Sequence, residues 1–87
     1  MIKSWSDEAW EDYLFWQIQD KKTLRKINKL ILSIERYGEL EGEGHPERLK
    51  GNFSGYCSRR IDEKNRLIYR INGDALEILE CMNHYND

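Results

Sequence analysis

The chain has 87 residues, 39 % of them apolar and 34 % charged, with a formal net charge of −2. That is enough for one small domain with a single modest core, so residues 1–87 are expected to form one unit. It excludes a membrane span, because no apolar run is long enough, and a signal peptide is not expected, because the first residues turn charged and aromatic at once.

The elements follow in chain order. Residues 1–5 suit an edge strand. Ser6 is placed to cap a helix whose first turn carries Asp7 and Glu8 at the positive end of the dipole. Ala9, Tyr13 and Trp16 recur at helical spacing, with Trp10 and Leu14 beside them, and predict an aromatic face on a helix reaching about Gln19. Asp20 can cap a second helix, with Leu24, Ile27, Ile31 and Ile34 inward and Leu30 adjoining. Its other face carries Lys22, Arg25, Lys26 and Lys29, a solvated face or a contact for an RNA backbone. Two helices with almost no linker suggest an αα-hairpin.

Residues 37–47 hold Gly38, Gly42, Gly44 and the only proline, Pro46, and are expected to be a flexible connector that ends by delivering Glu47. The stretch GELEGEG lacks the spacing and the lysine of a P-loop, and its glutamates would repel phosphate. His45, beside Pro46, belongs to the loop and is given no role. Strands are predicted over Tyr56–Ile61, Arg66–Ile71 and Ala75–Met82, with turns at residues 62–65 and 73–74. The fold expected is α+β, two N-terminal helices packed on an antiparallel sheet in the order β-α-α-β-β-β.

Charge comes in alternating blocks. Residues 1–20, 37–47 and 71–87 are each −4, whereas 21–36 and 48–70 are each +5. The last basic block holds Arg48, Lys50, Arg59, Arg60, Lys64, Arg66 and Arg70 within a hairpin. If Arg60 stands opposite Arg66, the two share a sheet face with Ser58 and Ile68, and like charges there are destabilising unless an anion or a carboxylate lies between them. Asp62, Glu63 and Glu80 are the acids expected to compete for them.

Cleavage of RNA without a metal needs a base for the ribose 2′-hydroxyl, an acid for the leaving 5′-oxygen, and cations around the phosphorane. Glu47 and His84 suit the first two roles, and Arg60, Arg66 and Lys50 the third; Tyr85 could stack on a base. Each also has a dull alternative as a surface residue, and from composition and spacing alone the chain is a small α+β domain with a possible phosphate site. Cys57 and Cys81 show no zinc spacing with the two histidines and are expected to be small buried thiols.

The opening WSDEAWEDYLFW, the middle PERLKGNFSGYCSRRIDEKNRLIYRI and the closing HY resemble the YoeB toxins, a branch of the RelE superfamily. The resemblance covers essentially the whole chain. It implies the toxin of a type II toxin–antitoxin system: a ribosome-dependent mRNA interferase that cuts A-site mRNA by 2′-hydroxyl attack, without cofactor or metal. It implies Glu47 as general base, His84 as general acid and Arg66 as the arginine that stabilises the transition state. Lys50, Arg60 and Tyr85 are the implied substrate contacts. The implied partners are a YefM-type antitoxin, the ribosome with its mRNA, and a second copy in a homodimer, with DNA reached only through the antitoxin and a cytoplasmic location. ParE-like toxins share the architecture and act by binding gyrase; a toxin retained only for antitoxin binding and autoregulation is the other alternative. Three features depart from the family pattern: the acidic stretch Glu39, Glu41, Glu43; Cys57, where an aromatic is common; and Asn86 and Asp87 after the His-Tyr pair.

Overall fold

The computed structural model describes residues 1–83. Its elements are β1 (Ile2–Trp5), α1 (Asp7–Gln19), α2 (Lys21–Tyr37), β2 (Glu47–Arg48), a short 3-10 turn (Gly51–Phe53), β3 (Cys57–Arg60), β4 (Arg66–Asn72) and β5 (Ala75–Glu80). Both helix caps form as the sequence predicts. Ser6 Oγ accepts the Ala9 N–H at 3.0 Å, and Asp20 accepts those of Lys22 and Thr23. Ser6 also donates to the Leu79 carbonyl at 2.6 Å, which ties the start of α1 to β5.

The α+β expectation holds: two helices cover one face of a sheet. Among the described residues the sheet has five strands in the order β1-β5-β4-β3-β2. The β2–β3, β3–β4 and β4–β5 pairs are antiparallel, and β1 adds to β5 in parallel, so the sheet is mixed. A two-residue strand, β2, is the element the sequence pattern does not announce.

Alternation along the strands sorts side chains between two faces. On the helix side, Cys57, Leu67, Tyr69, Leu76 and Ile78 meet Ala9, Ile27, Leu30, Ile31 and Ile34 to form the core. Each such aliphatic side chain contributes about 1.5–3 kcal/mol on full burial. Trp5, Tyr13 and Trp16 close its edge, but Trp10 lies largely on the surface, stacked beside Tyr13. The other face carries Ser58, Arg66, Ile68 and Arg70 and points away from that core.

The glycine-rich segment differs from the flexible connector expected of it. It is wrapped around Arg59, which is completely buried on the helix side. The guanidinium donates to the carbonyls of Gly38, Glu41 and Glu43 at 2.6–2.8 Å, to Ser33 Oγ at 3.0 Å and, through Nε, to Tyr69 Oη at 2.9 Å. Tyr69 in turn donates to the Glu39 carbonyl, and the Glu39 carboxylate accepts the Ile71 N–H at 2.7 Å. Gly42 has φ +104°, and a Cβ there would collide with Ser33 Oγ, so the close approach of loop to helix needs glycine.

Candidate functional site

The register of the hairpin decides the site. Arg60 stands directly opposite Arg66, Ser58 opposite Ile68, and Glu47 opposite Ser58. Glu47, Ser58, Arg60 and Arg66 therefore share the open face of the sheet. The cationic pair is relieved by a carboxylate from a strand away: Arg66 Nη1 donates to Glu47 Oε1 at 2.8 Å and to Ser58 Oγ at 3.2 Å. None of the acids Asp62, Glu63 and Glu80 takes that place. Both members of the Glu47–Arg66 pair are about half exposed, so the bridge adds little to stability, on the order of 0–1 kcal/mol.

Beside this pair opens a cleft of about 770 Å³. Arg66, Ser58 and Lys64 give it a cationic, hydrogen-bonding flank, and Leu49, Phe53, Ile68 and Leu79 give it an apolar floor. Glu8 reaches it from the first turn of α1, and Asn83 stands on its wall. A floor of this kind beside a planar guanidinium suits a base attached to a phosphate.

The remaining candidates are less drawn together. Arg60 is exposed and donates its backbone N–H to the Gly44 carbonyl. Lys50 is exposed at the start of the 3-10 turn, three residues beyond Glu47, and is not part of the cleft wall. Among the described residues no carboxylate forms an ion pair with Lys50 or Arg60. His84 and Tyr85, like Asn86 and Asp87, lie outside the described residues. The segment leading to them is anchored. Cys81 N–H donates to Asp12 Oδ2 at 3.0 Å, Trp16 Nε1 donates to the Cys81 carbonyl at 2.9 Å, and Asn83 N–H donates to Asn65 Oδ1 at 2.8 Å.

The family model for YoeB-like toxins of bacterial type II toxin–antitoxin systems matches residues 5–85. The chain belongs to the YoeB toxin family. Toxin YoeB of Escherichia coli K12 is 51 % identical over 81 residues, which span 93 % of this chain and 95 % of that one. Toxin YoeB of Streptomyces coelicolor is 44 % identical over 82 residues, covering 94 % and 96 % of the two chains. In structure, YoeB from the heterotetrameric YoeB–YefM complex of Staphylococcus aureus superposes with a TM-score of 0.93 at 46 % identity, covering 98 % of each chain. The YoeB dimer of the same organism gives 0.91. A Helicobacter pylori toxin at 20 % identity and TM-score 0.75 shares the fold alone. The YoeB assignment makes the chain a toxin of a toxin–antitoxin system, and its fold agrees with that of the family throughout.

Sequence reasoning counted Arg59 in the basic block of the hairpin without a separate role, and the structure places it in the core. It also passed over Asn65 and Lys64. Lys64 belongs to the counted basic block, but nothing in its spacing singles it out for the cleft. Burial pushes the Cys81 thiol up to about 12, helped by the neighbouring Asp12 and Glu80 carboxylates, and raises Cys57 with help from Glu39. Both cysteines are free and buried, as the sequence suggests.

Proposed function

We propose that the protein is a ribosome-dependent endoribonuclease that cuts mRNA in the A site by metal-independent acid–base catalysis. The observation that carries this reading is the Glu47–Arg66 pair on the open face, beside a cleft lined by Arg66, Ser58 and Lys64. Glu47 takes the proton from the ribose 2′-hydroxyl as that oxygen attacks phosphorus. Arg66 neutralises the extra charge on the phosphorane; it has five N–H donors, and Glu47 and Ser58 engage only Nη1. His84 protonates the departing 5′-oxygen, leaving a 2′,3′-cyclic phosphate and a new 5′-hydroxyl. Lys50 and Arg60 contact neighbouring phosphates, and Tyr85 stacks on a base.

A YefM-type antitoxin is the proposed inhibitor and a second copy the proposed dimer partner, in line with the Staphylococcus aureus YoeB–YefM complex and YoeB dimer. DNA is reached only through the antitoxin. The proposed location is the cytoplasm, where ribosomes are found; among the described residues no helix is long and apolar enough to cross a membrane.

The test is cleavage on programmed ribosomes with EDTA present, mapping the 3′ ends. Wild type should cut within the A-site codon and leave a cyclic phosphate. Glu47→Gln and His84→Ala should each lose about 10²–10⁴-fold in rate. Both variants cutting at the wild-type rate would refute the assigned chemistry. Intact mRNA combined with gyrase inhibition would place the chain with the ParE-like binders, and no activity in either assay would leave a toxin kept for antitoxin binding.

A further inference from the structure

Among the described residues the buried polar side chains are Asp12, Ser33, Arg59 and Ser58, and of these only Ser58 lines the cleft. It is 1 % exposed. Its neighbours across the sheet are Glu47 on β2 and Ile68 on β4, so Arg66 reaches it on the diagonal, from the row that holds Arg60. Diagonal neighbours stand about 7–8 Å apart, within reach of a long side chain. The guanidinium thus ends over the Ser58–Glu47 row, where Nη1 donates to Ser58 Oγ at 3.2 Å and to Glu47 Oε1 at 2.8 Å. Those two bonds use both N–H groups of Nη1. Among the described residues nothing accepts from Nε or Nη2. Their parallel N–H groups form an edge that can grip two oxygens of one phosphate.

We infer that Ser58 is a positioning residue for Arg66: by holding Nη1 it turns the Nε–Nη2 edge of the guanidinium to the phosphorane. The inference rests on the catalytic reading of Arg66 given above. Glu47 cannot do this alone. Its side chain is more than half exposed on a long, rotatable stem, and a single bond to it leaves the guanidinium free to roll. As the base, Glu47 must also turn toward the 2′-hydroxyl while charge builds on phosphorus, so its hold on Arg66 slackens during the reaction. Ser58 takes no part in proton transfer. Its oxygen is set by a single side-chain torsion, on a strand paired on both sides. Nη1 therefore keeps one fixed acceptor when the other moves. Loss of that acceptor lets the edge drift, and a misplacement of about 1 Å in a reacting group can cost as much as 10²-fold in rate.

The experiment measures kcat and KM on programmed ribosomes for wild type, Ser58→Ala, Arg66→Lys and the double variant. Ser58→Ala removes one oxygen, and Arg66, about half exposed, can give the freed N–H to water, so the fold should be kept; circular dichroism checks this. Its kcat should fall about tenfold with KM unchanged, because the cations that hold RNA are untouched. A lysine ammonium is a point charge with no edge to orient. In the Arg66→Lys background the same change should therefore cost less than about twofold. Wild-type kcat in Ser58→Ala would overturn the inference, as would a rise in KM alone. Equal losses in the two backgrounds would also overturn it, since a merely structural role costs the same in both. Should Arg66→Lys alone cut at the wild-type rate, the catalytic reading of Arg66 fails and takes the inference with it. Slow cutting by Arg66→Lys combined with equal Ser58→Ala losses sinks the inference and leaves that reading standing.

Discussion

Replacing Arg59 by methionine should unfasten the glycine-rich loop and lower stability by about 2–4 kcal/mol. The estimate follows from what the guanidinium holds. It is fully buried and makes five hydrogen bonds, three of them to carbonyls of the loop. Methionine fills much of the same apolar path and removes the cost of burying a charge, so the full strength of the bonds is not lost. Glu41 and Glu43 are exposed, and their carbonyls can turn to water. Ser33 Oγ keeps the Glu43 N–H as donor, and Tyr69 keeps the Glu39 carbonyl as acceptor. That leaves about one or two acceptors stranded, at about 1–3 kcal/mol each. The Gly38 carbonyl is one of them; it caps the negative end of α2, where a cation is favourable. An unfolding entropy of about 0.18 kcal/mol per kelvin for this length converts the loss to a fall in Tm of about 10–20 K. Thermal unfolding by circular dichroism reads the shift, and limited proteolysis reads the loop. A Tm within about 3 K of wild type, with residues 38–44 equally resistant to protease, would refute the reasoning.

Two further outcomes follow from shifted titrations. With thiols raised by burial, Cys81 to about 12, the reactive thiolate is scarce at neutral pH; iodoacetamide should leave the native protein unmodified and label both cysteines in urea, as mass spectrometry would show. At Asp62, burial raises the carboxyl, but hydrogen bonds from Asn65 Nδ2 and from the Lys64 and Asn65 N–H groups outweigh it and hold it below 3.8. A folded-state pKa below the unfolded one stabilises above about 3.8 and is lost as pH falls through the folded value. Asp62→Asn should therefore shift the urea midpoint down at about pH 6, and the gap to wild type should narrow as pH falls below about 3.8; a constant gap across that range would show that the carboxylate's charge does not matter.

What could be read in the sequence was local. RLIYRI alternates, and Leu67 and Tyr69 do face the core while Arg66, Ile68 and Arg70 face away. Ser6 and Asp20 cap helices because a short oxygen-bearing side chain before an apolar period has one favourable use. Less could be read where a contact spans the chain. The parallel pairing of β1 with β5 leaves no trace in a four-residue strand. Glu47–Arg48 is too short to show a period, although it carries the carboxylate that meets Arg66. Arg59 and Arg60 are chemically identical neighbours, and only strand parity sends one into the core and the other to the open face. Asn65 and Asn83 meet through a backbone N–H, which any residue but proline would supply, so no motif marks the bond.

That parity also bears on how an acidic chain could carry the proposed phosphate site. The acidic stretch Glu39 to Glu43 lies against the helix side of the sheet, where its carbonyls hold Arg59. Its carboxylates are partly spoken for, Glu39 by the Ile71 N–H and Glu43 by Lys26 at 3.8 Å. The open face draws instead on the basic block that follows, with Lys64 and Arg66 lining the cleft, Arg60 opposite Arg66, and Glu47 as the acid bound to Arg66. Charges separated by more than a Debye length, about 8 Å at physiological salt, are largely screened in solvent. The net charge of −2 is therefore a poor guide to what a phosphodiester at Arg66 would feel. On and around the open face the charges are mixed, Arg60, Lys64, Arg66 and Arg70 standing with Glu8, Glu47, Glu77 and Glu80, and Glu47 is the carboxylate that meets Arg66 directly.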